Sequence, residues 1–183
     1  MDVNRPAADL VVRVVNAATA GELDVDWTRQ LLARESLPIR HRAPGDHIDL
    51  ASTQRALIKL ASDVRPLFES TVLDEAANQL NTLLAELPVR VSVSISDNFA
   101  PHLHFDGHGP SIGERLRANG LVALAVLLAD TTGLLRLGIC AAPDCDLVFV
   151  DFSRAGRQRF CSRRCATRSH VAAHRRRIAS GLG

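Results

Sequence analysis

CAAPDCDLVFVDFSRAGRQRFCSRRC, residues 140–165, holds all four cysteines of a 183-residue chain. Cys140, Cys145, Cys161 and Cys165 follow the pattern C-x4-C-x15-C-x3-C. Two close pairs separated by a short segment suit a tetrahedral thiolate site, with each pair gripping one side of an ion. The segment between the pairs reads as a hairpin. Leu147–Asp151 is strand-like, Ser153–Gly156 is turn-like, and Arg157–Phe160 returns toward Cys161. Ser162 stands where a helix can begin. One structural Zn2+ per chain is the expected occupant. An iron–sulfur cluster, two disulfides or four unrelated core thiols are the other ways to use four cysteines. A site closed by four thiolates leaves no open coordination position, so it stabilises a fold and does not activate water. The expectation is therefore a protein that is not an enzyme at this centre.

The residues beyond the cysteines are strongly basic. With about 100° per residue, Cys161 and Cys165 lie within about 40° of each other on a helix, and His170 and His174 fall near 180° and 220°. Neither histidine reaches the same ion. Arg163, His170, His174 and Arg177 form one stripe facing away from the metal, and Arg164, Arg168 and Arg175 form a second. The cysteines thus anchor the root of a helix and leave its basic sides open. Arginine suits phosphates and guanine edges, so these seven residues are the candidate nucleic-acid contacts. The plainer alternative is a solvated helix whose arginines cover the hairpin or pair with acidic groups.

The charge is divided along the chain. Residues 1–135 carry 12 Lys/Arg and 17 Asp/Glu, net −5, and residues 136–183 carry 10 Arg and 3 Asp, net +7. A basic end on an acidic body suits an anionic partner, DNA first. Acidic MDVNRPAADL lacks the order of a signal peptide. The longest apolar run, Leu121–Leu128, is too short for a bilayer. A cytoplasmic setting, where disulfides are rare, is the expectation.

Ahead of the cysteines, tyrosine is absent and aromatics make up only 4% of the chain, so the core must be aliphatic. Residues 8–18 fit either a strand or the start of a helix, and Asp26–Ala33 a short helix. Ser52 or Thr53 is placed to cap a helix carrying Leu57, Leu60, Ala61 and Val64, which Pro66 ends or kinks. Thr71 is placed to cap another, with Leu73, Ala77, Leu80, Leu84 and Leu87 on its stripe. Val89, Val91, Val93 and Ile95 alternate with polar residues as in a strand, and Phe99–Asp106 completes a hairpin with Leu103 and Phe105 inward. Ser111 caps a long helix reaching Ala129, apolar on nearly all sides in its second half and therefore central. Gly120 permits close approach there.

In the strand PHLHFDGHG, His102, His104 and Asp106 share one face. A solvent-facing polar face is the ordinary reading. A small-ligand pocket is the middle option, and a second metal or a pH sensor the sharper one.

The stretch from Cys140 to Arg177 resembles the CGNR zinc finger, a C-terminal module of bacterial proteins regarded as transcriptional regulators. The CAAPDC knuckle, the FVDFSR strand and turn, the FCS helix start and the basic tail carry the resemblance. The usual Cys-Gly-Asn-Arg is here Cys165-Ala166-Thr167-Arg168, and Phe160 stands where Trp is usual. No ligand position is altered. The order of elements in residues 1–135 resembles the ABATE domain that precedes such fingers. The resemblance implies an α+β protein of two parts: residues 1–132, an ABATE-like regulatory domain, and residues 133–183, a treble-clef-like finger with a basic helix. It implies a DNA-binding regulator with a small-molecule or protein effector on the first part. Separately, a single finger rarely supplies much specificity, which suits a homodimer. A zinc-stabilised adaptor that docks an acidic protein, without touching DNA, is the alternative.

Overall fold

The structure is a computed structural model, and it describes residues 5–34, 48–87, 90–94, 102–105, 111–130 and 132–179. Four helices open the chain: α1 Arg5–Thr19, α2 Val25–Arg34, α3 Leu50–Glu69 and α4 Leu73–Ala85. Two short strands, β1 Val91–Ser94 and β2 His102–Phe105, precede α5 Ile112–Leu128. A single turn, α6 Gly133–Arg136, leads into β3 Leu137–Ile139, β4 Val148–Val150 and the last helix, α7 Arg163–Ala179. The class is α+β, mostly helical, with an antiparallel two-stranded ribbon beside the cysteines.

The Val-rich opening is helical. Its valines recur so that Val11, Val14 and Val15 all fall on one side, and each is at most 1% exposed. They meet Leu57, Leu60 and Val64 of α3 and Leu121 and Leu124 of α5, all fully buried. As the composition requires, the core is aliphatic. Leu137, Val148 and Val150 of the β3–β4 ribbon belong to the same core as the helices. Polar bonds reinforce that union. Asn16 of α1 donates through Nδ2 to the Val148 carbonyl at 3.0 Å and accepts the Val148 N–H through Oδ1 at 2.7 Å.

Ser111 caps α5 as expected, and Glu114 returns the bond to the Ser111 N–H at 2.8 Å, completing a capping box. Gly120 lies against Val11, where an added Cβ would stand 2.8 Å from Val11 Cγ2. Gly113 is tighter: a Cβ there would stand 2.6 Å from Ala56 Cβ and 3.1 Å from the Thr53 Cα.

Several details differ from expectation. The cap of α3 is Asp49, whose carboxylate accepts the Ser52 N–H at 2.9 Å; Thr53 is already inside the first turn, its hydroxyl donating to the Asp49 carbonyl. Pro66 does not end α3, which runs on to Glu69. Val72, not Thr71, precedes α4, and no side chain caps that end. The buried residues of α4 are Ala76, Leu80 and Leu83, while Leu73 is exposed, because the helix turns toward α5 about one position off the expected stripe.

Strands β1 and β2 do pair antiparallel, with Val91 opposite Phe105 and Val93 opposite Leu103. Val91, Val93 and Leu103 are nevertheless exposed. Alternation specifies a strand, but it does not say which face another element covers. Among the described residues, no helix is long and apolar enough to cross a membrane.

Replacing Gly113 by Ala must push α5 off the α3 backbone. We expect a loss of about 1–3 kcal/mol in denaturant unfolding. Gly120→Ala should cost less, because only the tip of a valine has to move. Equal stability of Gly113→Ala and the parent would show that the two helices cross less closely.

Candidate metal centre

The four thiols converge from two directions. Cys140 follows β3, and Cys145 ends a knuckle in which Asp144 adopts a left-handed conformation (φ 57°), a region that Asp tolerates better than most residues. Cys161 and Cys165 flank the first turn of α7. The Ser162 hydroxyl accepts the Cys165 N–H at 3.3 Å and so caps that turn.

Cys145 and Cys161 sulfurs are 3.8 Å apart, Cys161 and Cys165 3.7 Å, and Cys165 and Cys145 3.8 Å. Cys140 completes the group, with all four sulfurs within 4.8 Å of one another. All four cysteines are free thiols. A disulfide needs sulfurs about 2.0 Å apart. A tetrahedron of sulfurs about 2.3 Å from a central Zn2+ has edges of about 3.8 Å. The spacing therefore fits one ion, and the donor set is that of a structural zinc site.

Electrostatics agree. Burial pushes the Cys161 thiol up to about 12, while the Ser162 hydroxyl holds Cys165 down to about 7. Burial also raises Cys145. Four thiolates this close repel one another, and a divalent cation at their centre is what makes the fully ionised set favourable.

The loop that returns the chain from β4 to Cys161 is organised by Asp151, only 1% exposed. Its Oδ1 accepts the Ser153 N–H at 2.8 Å and its Oδ2 the Gln158 N–H at 2.7 Å. The Asp151 N–H donates to the Arg136 carbonyl at 2.7 Å, and the Arg136 guanidinium donates to the carbonyls of Asp151 and Ser153, both at 2.9 Å. Burial alone would raise the Asp151 pKa. The hydrogen bonds from Ser153 and Gln158, with the nearby Arg136 charge, outweigh it and hold the carboxyl below the usual range. Past the loop, the Ala141 N–H donates to the Arg159 carbonyl at 2.8 Å, bringing the two cysteine pairs side by side.

Residues 136–178 match the family model of the CGNR zinc finger. That is the finger named by the motifs. The match covers the β3–β4 ribbon, the four cysteines and nearly all of α7; the helices before residue 136 lie outside it. A comparison of the chain with curated proteins finds no match.

The remaining candidate residues fall in different places. No residue of α7 is buried, and Arg163, Arg164, His170, His174, Arg175 and Arg177 are all exposed. Its half-buried residues, Cys165, Ala166, Ser169, Ala172 and Ala173, gather on one side. Arg168 donates to the Pro143 carbonyl in the knuckle at 2.9 Å, tying the helix to the first cysteine pair. His170 packs edge-on against Phe160, with ring centroids 5.9 Å apart. His102 and His104 belong to strand β2, and Asp106 lies outside the described residues. Sequence reasoning missed the roles of Asp151, Arg136 and Asn16. The first had a local signal, an Asp two residues before Ser at a strand end, which is the pattern of an Asx turn.

Cys161→Ser should lower bound zinc below one per chain by metal analysis and weaken α7 by circular dichroism. The coupling of such a site to folding is on the order of 10 kcal/mol. Zinc should also be released on acidification, because all four sulfurs hold the ion as thiolates and protons compete with it for them. Full zinc retention by Cys161→Ser would remove that residue from the ligand set.

Asp151→Asn keeps the shape but offers one acceptor oxygen for two N–H groups. We expect a loss of about 1–3 kcal/mol with zinc still bound. The folded Asp151 pKa is lowered, so its contribution is present above the usual carboxylate range and lost as pH falls through the folded value. The stability gap between parent and variant should therefore close in acid. A gap independent of pH would show that the charge of Asp151 is not what matters.

Proposed function

We propose that this protein is a cytoplasmic, non-enzymatic DNA-binding transcriptional regulator of the bacterial kind, in which the zinc finger presents α7 to DNA. The observation that carries the reading is the exposed arginine-bearing arc of a helix whose root alone is fixed by the metal centre. Arg163, Arg164 and Arg175 are exposed, and among the described residues no carboxylate is paired with them. A guanidinium in that position offers a forked donor set to phosphate oxygens or to guanine. The helical body ahead of the finger, ABATE-like in its order of elements, is the part that would take an effector or a second copy. Its shared core with the β3–β4 ribbon gives it a direct hold on the finger.

The test is binding of the zinc-loaded protein to random-sequence duplex DNA across a salt series. Affinity in the micromolar range should fall with salt at a slope set by about four to six phosphate contacts. Arg163→Ala, Arg164→Ala and Arg175→Ala together should lower that slope by about three. Unchanged binding by this variant would move the DNA surface away from α7. An absence of binding at low salt would favour an adaptor that docks an acidic protein.

A further inference from the structure

The basic surface of the finger has a second element. Nine arginines and no acidic residue occupy positions 152–183, and three of them, Arg154, Arg157 and Arg159, lie on the loop between β4 and Cys161, not on α7. All three are exposed. Among the described residues no carboxylate is paired with any of them.

The loop carrying them is held by its backbone. The Ser153 and Gln158 N–H groups end on the buried Asp151 carboxylate, the Ser153 carbonyl on Arg136, and the Arg159 carbonyl on the Ala141 N–H. Between these ties the chain turns at Gly156, whose φ of 58° is the left-handed conformation that glycine adopts without strain. With the backbone tied at these points, the three exposed arginine side chains are what the loop offers outward.

The loop also stands beside α7. The Arg159 guanidinium lies over the Phe160 ring at 5.9 Å, and the same ring meets His170 edge-on at 5.9 Å. Arginine, ring and histidine thus form a continuous bridge from the loop to the helix stripe that includes Arg163. An arginine held near a ring keeps N–H donors for an anion.

We infer that the loop 153–159 is a second phosphate-contacting element, in which Arg154, Arg157 and Arg159 grip the DNA backbone beside the track followed by α7. This rests on the DNA-binding reading and extends it from one helix to a two-element surface. Backbone contacts of this type position a protein on the duplex and carry no sequence information. A preorganised loop suits that task, because its backbone needs no ordering when DNA arrives.

The experiment compares four forms of the full-length, zinc-loaded chain on one random-sequence duplex across a salt series. They are the parent, Arg154→Ala/Arg157→Ala/Arg159→Ala, the same three positions changed to Lys, and Arg29→Ala/Arg34→Ala/Arg55→Ala as a charge-matched control on α2 and α3. Three lost phosphate contacts should lower the slope of log affinity against log salt by about 2.7, so that between 50 and 200 mM salt the parent loses about 40-fold more affinity than the loop variant. The lysine form should keep the parent slope, since point charges suffice for phosphates, and the control should keep it too. Zinc content and melting temperature verify the fold of each form; if the alanine form loses zinc, the corresponding triple Gln variant carries the comparison. A loop variant with the parent slope, or a control that falls equally, overturns the inference while leaving α7 as the DNA surface. Failure of the parent to bind overturns the inference together with the reading beneath it.

Discussion

Asp151 is a carboxylate almost sealed from solvent, and the geometry of the metal centre depends on it. It gathers two loop N–H groups, takes its own place in the ribbon through Arg136, and thereby decides where the chain comes back. The return stroke delivers Cys161 and Cys165 to the side of the ribbon where Cys140 and Cys145 already stand. A buried charge is costly unless it is bonded on every side. Here the bonding is nearly complete, so the cost of burial becomes a strong preference for one loop conformation.

That loop connects two kinds of cohesion. On one side lies an aliphatic core, non-directional, shared between α1, α3, α5 and the β3–β4 ribbon. On the other lies a four-sulfur site with strict distances. The ribbon serves both: Val148 and Val150 join the helical core, and the turn between β3 and β4 carries Cys140 and Cys145. Asn16 closes the seam by matching the Val148 N–H and carbonyl, as a neighbouring strand would. The finger is therefore not merely tethered to the helices. Its ribbon is one wall of their core.

What the sequence disclosed follows the range of each interaction. The cysteine tetrad, the Ser162 start of α7 and the Ser111 cap were legible because each is a short pattern with a physical reason for its spacing. The division of α7 into a metal side and a basic side was legible for the same reason, since helical periodicity alone separates Cys165 from His170. Asn16 was not, because its partner lies 132 residues away and an Asn in a Val-rich run carries no local sign of it. Arg168 read as one more member of a basic stripe, yet its guanidinium reaches the knuckle carbonyl of Pro143. At α3, three capping residues stand almost in succession, and only the backbone turn at Asp49 selects between them. The β1–β2 ribbon shows the opposite case, a correct strand pattern that said nothing of which face is covered.

The last helix is gripped in its first two turns, by the cysteines and by Arg168 and His170, and none of its residues is buried. Its 17 residues extend about 25 Å at about 1.5 Å per residue. It is a lever with its fulcrum at the cysteines. A tilt of about 5° at the ribbon, too small to disturb the sulfur distances, displaces the far end by about 2 Å, comparable to the tolerance of a hydrogen bond. Any event in the helical body that rocks the β3–β4 ribbon is thus magnified before it reaches the arginines at the tip.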